Sequence, residues 1–200
     1  MRVVNRLVGV VAASVLAAGA LEAQACLGYP AFGGGGKNVS AQAYLPDGAT
    51  TVLGQFNMGK DNGNFAGLQV GFTSIDGADV TPLTVGGLAG IERSSGKISY
   101  CPLATAQYRT EFKDINASAG IGAAVDIFTA GSFTLAPFAS ARFNYFMPDV
   151  GDNDSFLLYG LGVAFRLNNG IVLAPSLDFS SQDGADEVLG LRISLPLGGR

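Results

Sequence analysis

Ten stretches of the chain alternate between large apolar residues and smaller or more polar ones, and turn-forming residues separate each stretch from the next. Consecutive side chains of a β-strand point to opposite faces, so a period of two gives each strand one apolar face and one that is not. In 154–167, Leu157, Tyr159, Leu161, Val163, Phe165 and Leu167 share one face, opposed by Phe156, Leu158, Gly160, Gly162, Ala164 and Arg166. In 132–146, Phe133, Leu135, Ala139, Phe143 and Tyr145 oppose Thr134, Phe138, Ser140, Arg142 and Asn144. Turn chemistry recurs at Pro46-Asp47-Gly48, Lys60-Asp61-Asn62-Gly63, Asp76-Gly77, Ser94-Ser95-Gly96, Lys113-Asp114, Ala130-Gly131, Pro148–Asp154, Asn168-Asn169-Gly170 and Gln182-Asp183-Gly184. These nine turns predict about ten strands, near 38–46, 50–58, 64–74, 80–92, 97–112, 115–128, 132–146, 154–167, 171–180 and 187–197. Eight is the second choice, because the first two are short for the ~9–11 residues of a strand that spans a bilayer.

A soluble antiparallel sheet alternates as well, with its apolar face turned inward. Two details favour a membrane. Lys37, Lys60, Lys97 and Lys113 all lie outside the predicted strands or at their ends, whereas a water-facing strand would carry some of them. The less apolar face is rich in Gly, Ala, Ser and Thr, with a few Arg and Asp, which suits a narrow lumen. Composition agrees: 29 of 200 residues are Gly and only 14% are charged, against roughly 25% in a typical soluble domain. The expected fold is all-β, an antiparallel up-and-down transmembrane β-barrel.

The first 25 residues predict export. Arg2 and Arg6 precede an apolar run from Leu7 to Leu21, and Ala23-Gln24-Ala25 offers the small-x-small pattern of a signal-peptidase site. An uncleaved anchor is disfavoured by the shortness of the run, and a lipidated Cys26 by the absence of Leu three positions before it. The expected organisation is a signal peptide over 1–25, a Gly-rich segment over 26–37 and a barrel over 38–200, in the outer membrane of a Gram-negative-type bacterium. The mature chain would carry 10 basic and 15 acidic residues, a sign that disfavours nucleic acid.

Charge is divided between the two ends. With the N-terminus on the periplasmic side, the odd-numbered turns hold ten acidic residues and one basic, Lys113, and are mostly longer. The even turns hold Lys60, Asp61, Arg93 and Lys97. Long external loops and short periplasmic turns are the habit of such barrels. Over about 38–197 the chain resembles the small outer-membrane barrel proteins of the OmpA-like and OmpX-like kind, on periodicity rather than on a diagnostic motif. Such chains end in an aromatic residue, whereas this one ends Leu195-Pro196-Leu197-Gly198-Gly199-Arg200.

The lumen-facing charges are expected to be Arg109, Glu111, Asp126, Arg142, Arg166, Asp178 and Arg192, pairing with one another inside a filled barrel. The other reading of this network is a narrow ion path or gate. Cys26 and Cys101 suit one disulfide in an oxidising compartment, which would hold 26–37 at the periplasmic mouth. The alternatives are two thiols or lipidation of Cys26. Asp149, Asp152 and Asp154 could offer oxygen ligands, but their spacing does not match a calcium loop and Asp favours turns in any case. Gly33-Gly34-Gly35-Gly36-Lys37 fails as a phosphate loop, since Ala31 and Asn38 stand where Gly and Ser or Thr are needed.

The chain has no His, which excludes Ser-His-Asp and Cys-His catalysis, imidazole bases and His-ligated metals. Omptin proteases and the lipid A palmitoyl transferases and deacylases, the small barrel enzymes, rely on one. The expectation is therefore a non-enzymatic, cofactor-free barrel with a structural or surface role or a narrow channel, monomeric, with outer-membrane lipid as its partner. The alternative is a soluble exported β-barrel that binds a small apolar ligand.

Overall fold

The computed structural model describes residues 26, 36–77, 79, 81–182, 185 and 187–198. The expected signal peptide and most of the Gly-rich segment lie outside the described residues. Twelve strands follow in chain order: β1 Gly36–Leu45, β2 Ala49–Gly59, β3 Asn64–Ile75, β4 Leu83–Ile91, β5 Arg93–Ser95, β6 Ile98–Arg109, β7 Asp114–Val125, β8 Phe128–Ala130, β9 Phe133–Met147, β10 Asp154–Leu167, β11 Val172–Ser180 and β12 Val188–Leu197. Two of them, β5 and β8, are three-residue pieces that continue β4 and β7 past a break and lengthen the hairpins into β6 and β9. The remaining ten form one antiparallel meander.

The sheet closes on itself. Strand β1 pairs with β12 from Lys37↔Leu197 to Leu45↔Leu189, so the first and last strands leave no open edge between them. Ten long strands, and not eight, make the barrel, which separates it from the eight-stranded OmpA- and OmpX-type barrels. The meander puts the start of β1, the end of β12 and the turns after β2, β5, β8 and β10 at one mouth. At the other stand the turns after β1, β3, β6, β9 and β11.

The turns follow their residues. Gly48 and Gly170 adopt φ of 70° and 83°, a left-handed region that L side chains resist and that a tight hairpin needs. The β6–β7 turn has no glycine, and Lys113 takes φ 50° in its place. That turn covers Thr110–Lys113, so β6 stops at Arg109, three residues before the boundary read from the sequence. The β4 and β7 boundaries also retreat, to Ile91 and Val125, because the chain breaks at Glu92 and at Asp126-Ile127. Both breaks turn a buried acidic side chain inward at the mouth where β1 begins and β12 ends.

The two faces have opposite solvents. Leu68, Val70, Leu161, Leu189 and Leu191 are more than half exposed on the outside, whereas Asn38, Asn57, Ser99 and Ser194 are fully buried within. Outward aromatics gather toward both rims, with Tyr108 and Tyr145 at one and Tyr100, Phe128 and Phe133 at the other. The Phe128 and Phe133 rings lie 5.8 Å apart between centroids. Burial inside the wall is thus mainly polar, the reverse of a water-soluble barrel.

Candidate functional site: the lumen

The interior is a stack of layers along the barrel. At the loop-rich mouth, Arg109 ends β6 directly opposite Asp114, which begins β7, and its Nε donates to Asp114 Oδ1 at 2.7 Å. The guanidinium also lies over the rings of Phe112 and Phe146, at 4.9 and 5.6 Å. Deeper, the NH2 of Arg142 on β9 approaches Asp178 Oδ2 of β11 at 3.5 Å. Arg192 on β12 donates to Gln42 Oε1, which also accepts the Tyr44 hydroxyl at 2.6 Å. At the opposite mouth, Arg166 NH2 reaches Asp126 Oδ2 at 3.1 Å.

One wall carries amides in place of charges. Gln55 donates to Gln69 Oε1 at 2.7 Å and accepts Ser40 Oγ at 3.2 Å, while Asn57 Nδ2 donates to Asn38 Oδ1 at 2.9 Å. These inward positions of β1, β2 and β3 follow from the same two-residue period, and neutral amides can satisfy one another without the desolvation cost of ions. Toward the mouth where β1 begins, the interior is apolar. Phe65 of β3, Leu88 of β4, Leu103 of β6, Ala124 of β7, Phe138 of β9 and Val172 of β11 cluster there with the disulfide Cys26–Cys101, whose Cα atoms are 5.2 Å apart.

Glycines let the long side chains lie flat across the lumen. Gly120 faces Arg142, and Gly160 sits between Ser140 and Asp178. A Cβ at Gly160 would stand 2.5 Å from Asp178 Oδ1 and 2.7 Å from Ser140 Oγ. The space left beside Arg142, Asp178 and Arg192 is about 20 Å³, room for a water or two.

Of the residues singled out from sequence, Arg109, Asp126, Arg142, Arg166, Asp178 and Arg192 point into the lumen, in three separate ion-paired layers. Glu111 does not. It stands exposed in the β6–β7 turn, where its carboxylate accepts the Leu83 backbone N–H at 2.8 Å and the Thr110 hydroxyl. Those two bonds hold its carboxyl below the usual glutamate range, the hydroxyl contributing more than the N–H. The physical reason for the correction is the early end of β6: beyond Arg109 parity no longer assigns a face. Sequence reading also missed Asp114 and Glu92 as inward acids. A hairpin turn closing on Thr110–Lys113 would have placed Asp114 opposite Arg109, but Glu92 carries no such signal. Among the described residues, no group of three or more metal-ligating side chains is close enough to hold a cation, and Asp149, Asp152 and Asp154 form none.

No protein-family model matches the chain, and no curated protein matches its sequence. Among solved structures it is similar to a bacterial polysaccharide outer membrane secretin, with TM-score 0.49 and 11% identity over 82% of this chain. The chain spans 66% of that structure's length. It is also similar to the KdgM porin solved in complex with disordered oligogalacturonate, with TM-score 0.44 and 7% identity, covering 82% of this chain and 99% of that one. The chain's own geometry defines its class: a closed ten-stranded antiparallel β-barrel with an apolar exterior and a polar, ion-paired interior.

Proposed function

We propose that this chain is an integral outer-membrane β-barrel protein with no enzymatic activity, whose immediate partner is the lipid around it. The observation that carries the reading is the inversion of the barrel's faces. Leu68 is 71% exposed and Leu161 56%, whereas Asn57 and Ser194 are at 0%. Single exposed apolar residues are ordinary in water, but a belt of them around a whole barrel far exceeds the few hundred Å² that soluble monomers tolerate. In a bilayer the same belt is the stabilising surface, and the closure of β1 on β12 leaves no open sheet edge in hydrocarbon. Strands of 9 to 15 residues have the length to cross.

The ion-paired layers and amide wall fill the lumen, so the role is structural, with acidic turns presented outside and only a narrow path for water or small ions within. A soluble carrier of an apolar ligand would need its large apolar side chains turned inward around an open cavity. Here the inward apolar cluster packs on the disulfide.

Heat-modifiability tests the proposal. The mature chain is folded in detergent and run on SDS gels with and without boiling, beside circular dichroism in buffer and in detergent. A boiling-dependent mobility shift, with β-type dichroism only in detergent or lipid, is expected. A chain that folds in plain buffer overturns the reading.

A further inference from the structure

We propose that the rim where β1 begins holds the phosphates of anionic phospholipid headgroups through Lys37, Lys60, Arg93 and Lys97. The proposal rests on the membrane reading and adds to it which lipid the barrel selects, and where. Lys37 stands opposite Met58 and Leu197, both exposed on the outside, so its own side chain leaves the wall on that face. Arg93 stands opposite Tyr100, one of the outward aromatics of this rim, and its NH1 donates to the Asn62 carbonyl in the β2–β3 turn. Lys60 opens that same turn, and Lys97 lies in the turn between β5 and β6. The four therefore form one arc over β1 to β6, whereas the turns after β8 and β10 carry no charge. Glu92 and Asp126, at the same mouth, are buried inside, which leaves Asp61 as the one acid on the arc among the described residues. None of the four cations makes an ion pair among the described residues. Cations at the edge of an apolar belt lay their stems on hydrocarbon and put their charged ends at headgroup depth, where aromatic rings also gather. An anionic lipid is attracted to such an arc more than a zwitterionic one. The opposite rim, with Asp47, Asp76, Asp149 and Asp152 in its turns, repels the same headgroups.

The test folds the mature protein into phosphatidylcholine bilayers and compares the motionally restricted fractions of spin-labelled phosphatidylglycerol and spin-labelled phosphatidylcholine. The native protein is expected to hold phosphatidylglycerol severalfold better. Lys37→Gln, Lys60→Gln and Lys97→Gln combined should lose most of that preference, with Arg93 left in place because it also holds the β2–β3 turn. Lys113→Gln, at the acidic mouth, should keep it. Equal association of the two lipids with the native protein, or a preference untouched in the triple variant, would overturn the site and leave the membrane reading standing. A chain that enters no bilayer removes that reading and the site with it. Should the triple variant fail to fold, salt decides on the native protein. Exposed cations are screened, so the preference should fall toward unity between about 0.02 M and about 0.5 M sodium chloride. A preference indifferent to salt refutes the site.

Discussion

Phe138 and Gly162 face each other across the β9–β10 pair, and the ring fills the space that any side chain at 162 would need. A Cβ there would stand 2.4 Å from the Phe138 Cζ and 2.5 Å from the Pro175 carbonyl oxygen. Gly162→Ala should therefore destabilise the barrel by about 1–3 kcal/mol, the usual cost of overpacking. Adding Phe138→Ala should restore only part of this, because the Pro175 oxygen belongs to the backbone. Gly54→Ala is the control, since an outward Cβ there meets only the Val70 oxygen at 3.7 Å. Urea midpoints of the four proteins check the series, and a neutral Gly162→Ala would show that the lumen is looser than described.

The Arg166–Asp126 pair stands at the mouth where β1 begins and β12 ends, and the Asp126 side chain is only 4% exposed. Arg166→Met leaves that carboxylate buried without its cation, at a cost of about 3 kcal/mol, the low end for a broken buried pair. The double variant with Asp126→Asn should be more stable than Arg166→Met alone. A double-mutant cycle in urea reads the sign directly, and additive losses would mean the pair is not coupled.

The disulfide Cys26–Cys101 spans 75 residues of sequence and therefore encloses β1 to β4 and β5. In the chain-entropy account a loop of that length is worth about 4 kcal/mol against the unfolded state. Replacing both cysteines with Ser should lower the urea midpoint accordingly without changing the barrel's β-type dichroism. An unchanged midpoint would mean that the bond does not constrain the unfolded chain.

The strand faces were legible because the outside and the inside of a closed barrel demand different side chains at every second position, which imprints alternation on the sequence even where no motif exists. Leu189 to Leu197 against Gly190, Arg192 and Ser194 reads outward and inward without error. Strand ends were less legible. Nothing local says that β4 breaks at Glu92 or that β6 stops at Arg109, since both depend on which strand lies opposite. The same limit explains Glu111, assigned to the lumen by parity carried past the end of its strand. Pairing across the lumen was illegible altogether: Arg142 meets Asp178 on a strand that is not its neighbour, and no spacing within one strand encodes that contact.

Glu111 ties the β6–β7 turn to the start of β4, and its carboxyl lies below the usual glutamate range because of the Thr110 hydroxyl first and the Leu83 N–H second. The folded state thus prefers the ionised form. Its contribution is full above the unfolded value and is lost as pH falls through the folded one. The difference in urea midpoint between the native protein and Glu111→Gln, followed from about pH 6 to about pH 3, should shrink toward acid. A difference that stays constant with pH would show that the two hydrogen bonds do not depend on the charge.

On the proposed function the exposed apolar belt faces lipid, and the absence of Trp from the chain allows a direct reading. Phe143 is 50% exposed on the outside of β9, and Val150 is 87% exposed in the turn that follows. Trp is introduced at each in turn, and the protein is folded into vesicles with and without brominated acyl chains. Bromine is expected to quench Phe143→Trp, and aqueous acrylamide to quench Val150→Trp. Acrylamide quenching of both positions, with no effect of bromine on either, would contradict the proposed function.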